Sequence, residues 1–294
     1  MPDPSDPHHM YKHPPVVFVT AETKFPGNIG EPVPSPVQHA IGGVLGEDWV
    51  VDQVQPGITV NLGMPFSGAL GGAAIGGGAF GGASLGPTNL GGAMVRFANR
   101  DRTMSVALTA GTLSVETTRY ANWDDFRAVL SVALEATEKL MRPTGVTRTG
   151  LRYIDEIRVG AVIGNDWSEW LSPASLPPSA GLMAAAGWPP ETWTGLAHYQ
   201  IGPDRHMVLR YGPQPAQPGF LVNPNGPLKR PGPLPPGAFF GLDFDAFWEP
   251  TGIPIWKTED LLQTYDQLRV PVRSLFDSMI TERLIAEVFE AEGE

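Results

Sequence analysis

The sequence predicts an α+β protein, a largely antiparallel sheet with long helices packed on one face plus a glycine-rich insertion. Three observations lead there. Short β-branched and apolar segments bounded by turn residues recur along the chain. Two long stretches, opening at Asn122 and Thr258, carry apolar residues at helical spacing. Between the first strand and the next run of strands stands the glycine-rich segment 63–92.

Residues 1–10 are polar and proline-rich and read as a flexible arm. Val16–Ala21 is β-branched and apolar directly after Pro15, so it reads as a strand. Residues 26–36 are broken by prolines and read as irregular. Within 66–92, Leu70, Ile75, Phe80, Leu85 and Leu90 recur every five residues, and a small residue precedes each by two positions. That spacing resembles a pentapeptide-repeat coil. So short a solenoid needs the main domain to cover its core; an irregular glycine-rich loop is the competing reading.

From residue 93 the pattern sharpens. Ala93–Ala98 and Thr103–Leu108 read as strands around an Asn99-Arg100-Asp101 turn, and Thr112–Thr118 as a third. Asn122 suits a helix N-cap, with Asp124 and Asp125 in the first turn where carboxylates favour the helix dipole. Phe126, Val129, Leu130, Ala133, Leu134, Thr137, Leu140 and Met141 follow at helical spacing until Pro143. Val146–Val159 is a long strand with Leu151, Tyr153, Asp155 and Ile157 on one face and Arg152, Ile154 and Glu156 on the other. Trp167–Leu171 reads as a short helix. His198–Ile201, His206–Tyr211 and Ala238–Trp248 read as strands, the last two separated by the proline-rich loop 212–237. Thr258 caps the final helix, which Pro271 should kink or split. Two α+β halves result, 11–160 and 161–294.

Composition excludes several chemistries. The chain has 294 residues, of which 42% are hydrophobic, enough to bury a sizeable core. Its formal charge of −11 argues against general affinity for nucleic acid or an anionic membrane. With no cysteine there is no disulfide, thiolate metal site or cysteine nucleophile. No secretory signal or transmembrane stretch is visible, so a cytoplasmic location is expected. No phosphate loop, nucleophile elbow or dinucleotide fingerprint stands in a fitting context, and no cofactor is expected.

Three separated blocks go further: Tyr11-Lys12-His13-Pro14-Pro15-Val16-Val17, Gly150-Leu151-Arg152-Tyr153-Ile154-Asp155-Glu156-Ile157, and Gly241-Leu242-Asp243-Phe244-Asp245. Together they resemble a sporadically distributed, uncharacterised prokaryotic protein family. Its members open with Tyr-x-x-Pro-Pro and a strand, carry a central Leu-Arg-Tyr strand, and close with an Asp-x-Asp strand and a helix. The resemblance spans most of the chain outside 27–92. It implies a common architecture and no known activity. The family's patchy occurrence implies mobile cassettes of toxin–antitoxin or phage-defence type, and so a partner protein.

Asp243 and Asp245 lie two apart on one strand and face the same way. With Asp155 on a neighbouring strand, three carboxylates could bind a metal or act as acid and base. The plainer reading is that Asp243 and Asp245 sit on the solvent face or pair with Arg152 or Arg210, because Phe240, Leu242, Phe244 and Trp248 on the other face should form the core. Arg152 and Arg210 are candidate ligand-binding residues in a chain poor in basic groups. His198 and His206 should flank each other across a hairpin, in a structural or exposed role. Trp188, Trp193 and Phe220, set among prolines, are candidate protein-binding residues; pinning loops to the core is their ordinary role. The expected function is a non-enzymatic protein-binding component. The alternatives are a metal-dependent enzyme using clustered aspartates, or a small-ligand binder with arginines lining a cavity between sheet and helix.

Overall fold

The β-branched run after Pro15 forms β1 (Val16–Lys24), three residues longer than the apolar pattern because Glu22 and Lys24 continue its pairing. A computed structural model describes residues 11–27, 33–56, 93–159, 167–175, 193–214, 227–232 and 237–290. The pentad segment 66–92 lies outside these, as do residues 1–10 and most of 212–237.

Helix α1 (Ser35–Leu45) occupies part of the stretch that reads as irregular from its prolines. Pro34 is its N-cap and Pro36 lies in its first turn, where a missing N–H costs nothing. These prolines start a helix rather than break one. Strand β2 (Trp49–Pro56) follows. Next come β3 (Ala93–Asn99), β4 (Met104–Leu108) and β5 (Thr112–Thr117), an antiparallel meander close to the expected bounds. Asn99 makes the β3–β4 turn, its Oδ1 accepting from the backbone N–H of Thr103 and Met104.

Helix α2 (Trp123–Met141) begins as its sequence predicts, with the Asn122 side chain accepting from the Asp125 N–H. It ends at Arg142 in the left-handed conformation. Strand β6 (Arg148–Ile157) is buried along its whole length. Strands β7 (Gly195–Gly202), β8 (Arg205–Gln214) and β9 (Phe239–Trp248) form a second meander. Helix α3 (Thr258–Met279) is continuous through Pro271, so of the expected kink or split the split does not occur. The proline forfeits a helix hydrogen bond, a cost of about 3 kcal/mol, but Leu268 and Val272 on either side are buried and hold the turn. Thr258 is the first residue of α3, not its cap; its hydroxyl donates to Glu138. Residues 167–171 form a hydrogen-bonded turn, not the expected helix, and Leu171 bridges Ile280. The short helix α4 (Glu282–Leu284) leads into a π turn, Ile285–Phe289.

The nine strands of the described residues form one antiparallel sheet in the order β2-β3-β4-β5-β1-β6-β9-β8-β7. The order repeats itself. β1 and β6 each open a set of strands whose last member, β5 or β9, returns to pair with the opener, and a long helix follows. β1 and β6 pair with each other and join the sets into one sheet.

Side-chain alternation then divides the faces. Val19, Ala21, Val115, Leu151, Leu242, Phe244 and Ala246 point to the helix side and pack with Phe126, Leu130, Leu134, Leu261, Tyr265 and Leu268 in the main core. Among the described residues, no helix is long and apolar enough to cross a membrane.

Candidate functional site

The register of β6 against β9 separates the expected aspartates. Asp243 stands opposite Ile154 and Asp245 opposite Arg152, whereas Asp155 stands opposite Leu242. Cross-strand partners share a face, so Asp155 points to the helices and the other two point away from them. The strands are neighbours, yet the three carboxylates do not converge. No group of three or more potential metal ligands occurs among the described residues.

On the face away from the helices, Asp243 and Asp245 are buried in ion pairs. Arg152 holds Asp243 with two bonds, Nε to Oδ1 at 2.6 Å and Nη2 to Oδ2 at 2.8 Å. Arg210 approaches the same carboxylate at 3.5 Å. Arg148 reaches Asp245 at 3.5 Å and donates to Glu22 at 3.0 Å. Burial raises the Asp245 carboxyl above its usual range, against the pull of Arg148 and Arg152. Glu156 is held by Arg158 and Arg230, and Arg96 by Glu116. Arg152 and Arg210, candidate ligand binders from the sequence, are therefore committed to Asp243. The network is a cross-strand lattice of the ordinary kind.

The remaining candidates fall elsewhere. The rings of His198 and His206 lie 5.3 Å apart across the β7–β8 hairpin, and His206 also meets Phe247. Trp193 packs edge-on to Tyr211 and Phe240 and so pins the start of β7 to the core. Trp188 and Phe220 lie outside the described residues.

The helix face also carries polar groups, among them Thr23, which bonds Tyr265, and the carboxyl of Asp155. The Asp155 side chain opens on a cavity of about 620 Å³ between sheet and helices. Four pieces of chain wall this space. The entry strand supplies Tyr11, Pro14, Pro15 and Val16; the turn into α2 supplies residues 120–125; the sheet supplies Tyr153, Asp155 and Phe244; α3 supplies Arg269, Val272, Arg273 and Phe276. The geometry follows from local structure. Pro15 O accepts from the Glu156 N–H, laying the entry segment along β6. Lys12 and His13 donate their backbone N–H groups to Glu290 and Phe289, tying that segment to the far end of the chain. Tyr11 is thereby wedged against Phe276 and Phe289, with Arg273 over its ring.

Asp155 is 5% exposed. No hydrogen bond or ion pair holds its carboxyl among the described residues. Burial, reinforced by Asp243 through the sheet and opposed by Arg273, pushes it up to about 8. It is therefore protonated at neutral pH in the empty cavity. The hydroxyls of Tyr120 and Tyr153 meet at 3.4 Å. Burial raises both phenols, so both stay neutral. Tyr11 is pushed up to about 12, by burial first and then by Asp277.

Of the candidates among the described residues, the site contains Asp155 and none of the others. Sequence reasoning missed Tyr120, Tyr153, Trp123, Arg269 and Arg273 as cavity residues. A signal existed for the arginines: Arg269 and Arg273 lie four apart on α3, on the seam beside Leu268 and Val272. Among the comparisons made, no protein-family model and no curated protein matches the chain.

Proposed function

We propose that this protein binds a small organic molecule in the cavity between the central strands and helices α2 and α3. The observation that carries this reading is a buried carboxyl without a partner that opens on the space. A hydrogen bond from a ligand to such a group contributes about 0.5–1.5 kcal/mol, and more where the group is charged. The volume lies within the range of ordinary ligand pockets, roughly 300–1,000 Å³, and its walls are aromatic and apolar with a few polar groups, as in such pockets. The small-ligand alternative thus gains support, with Arg269 and Arg273 in place of Arg152 and Arg210.

A fragment screen by ligand-observed NMR tests it. Fragments are expected to bind and to compete for one site. Ala121→Trp, which fills the cavity from the turn before α2, is expected to weaken them at least tenfold while the circular dichroism spectrum stays that of the wild type. A screen without mutually competing binders, or binders indifferent to Ala121→Trp, would count against the cavity.

A second reading, a protein-binding component of a mobile defence or toxin–antitoxin module, finds support at one end of the sheet. Among the described residues β7 is the last strand, and it exposes Leu196 and Tyr199. An open strand edge can accept a partner's strand. A tagged pull-down from the native host should then recover a stoichiometric partner that Leu196→Lys releases; recovery of the chain alone would remove this reading.

A further inference from the structure

The chemical class of the ligand can be argued from the same cavity, and this inference rests on the reading of that cavity as a binding site. We propose that the ligand is an organic cation, an ammonium or amidinium group on a flat or apolar body, with the Asp155 carboxylate as its counter-ion.

The charges of the cavity decide between cation and anion. Arg273 donates through Nε to Asp277 Oδ2 at 2.8 Å and lies over the Tyr11 ring, while its Nη2 is buried without a hydrogen bond. Arg269 hydrogen-bonds Tyr120 and lies over Trp123. Among the acidic groups, Asp125 accepts from the Asn122 amide. Asp155 alone of the ionisable groups discussed has neither hydrogen bond nor ion pair. An incoming anion would meet three carboxyl groups in the lining, Asp124, Asp125 and Asp155, against two guanidinium groups, one of them already paired with Asp277. A cation would supply the contact that the Asp155 carboxyl lacks. Aromatic faces attract positive charge, and beside Tyr11 and Trp123, which the two arginines already cover, Tyr120, Tyr153, Phe244 and Phe276 line the space.

Proton release follows from the geometry. In the empty cavity Asp155 holds a proton at neutral pH; pairing with a cation requires the carboxylate. The groups facing it are Tyr120, Asp124 and Asp125 from the turn and α2, Arg269 and Arg273 from α3, Tyr11 from the entry segment, and Tyr153 beside it on β6, with Asp243 acting through the sheet. The three tyrosines stay neutral below pH 9 because burial raises each of them. A cation binding at pH 7 therefore displaces close to one proton, and its affinity rises with pH up to about 8.

Calorimetry on the full chain with three matched probes tests this: benzyltrimethylammonium, benzoate and benzyl alcohol. The first keeps its charge at every pH used. It is expected to bind about tenfold or more tightly at pH 8.5 than at pH 6.5. It should release a proton at pH 7, seen as a heat that varies with the buffer's ionisation enthalpy. Asp155→Asn should abolish its binding and spare benzyl alcohol. Benzoate binding best, or benzyltrimethylammonium binding equally at both pH values or to Asp155→Asn, overturns the cation while the cavity stands. Failure of all three probes overturns the cavity reading as well.

Discussion

Replacing Asp155 with Asn stabilises the ligand-free protein, and the gain grows as the pH rises from about 4 to about 8. The sign follows from the two protonation equilibria. In the unfolded chain Asp155 ionises with its ordinary value of 3.8; in the folded protein burial holds it at about 8. Below 3.8 both states carry the proton, and the aspartate costs little relative to asparagine. Between the two values the folded state keeps a proton that the unfolded state has lost, so each pH unit favours unfolding, by at most about 1.4 kcal/mol. Above about 8 both states are ionised and the penalty levels off. Asparagine does not titrate and escapes the whole effect. Urea unfolding of the two proteins from pH 4 to pH 9 measures it. A constant difference across that range would mean that Asp155 is not a buried carboxyl lacking a partner. The cost of retaining Asp155 in the empty protein is what makes a ligand-binding role worth testing.

Removal of Arg152 is the second large effect. Arg152→Ala is expected to destabilise the fold by about 3–5 kcal/mol, because it leaves the Asp243 carboxylate buried with only the more distant Arg210 to balance it. The double variant Arg152→Met with Asp243→Leu should recover most of that loss, since replacing both members of a buried pair with packed apolar groups is often neutral. A denaturant double-mutant cycle measures the coupling. Arg152 and Asp155 project from opposite faces of β6. The double variant should therefore keep the cavity and bind the uncharged probe benzyl alcohol like the wild type. A loss below about 1 kcal/mol for Arg152→Ala, or failure of the double variant to bind that probe, would contradict this division of labour.

Much of the fold was legible. The meander β3-β4-β5, helix α2 with its Asn122 cap, and strands β6, β8 and β9 were readable because each carries its own period and its own boundary chemistry. The errors were local signals with two meanings. Pro34 and Pro36 read as breakers, yet a proline in a first turn is a helix starter, so α1 was overlooked. Pro271 read as a point of kink or split, yet α3 is not split, because packing of the face that includes Leu268 and Val272 outweighs one missing hydrogen bond. Trp167–Leu171 had the composition of a helix and too few residues to nucleate one.

By itself, the alternation along β6 determined that Asp155 shares a face with Leu151, Tyr153 and Ile157, and the alternation along β9 determined that Asp243 and Asp245 oppose the apolar face of that strand. Only the tertiary structure decided what those faces meet, because register, strand order and helix placement depend on partners far away in sequence. It set Asp243 against Arg152 and placed Asp155 at the edge of a cavity. That cavity takes its walls from Tyr11, from the turn before α2 and from the middle of α3. A void is made by surfaces that fail to fill the space between them, and no period within a single strand or helix encodes that failure.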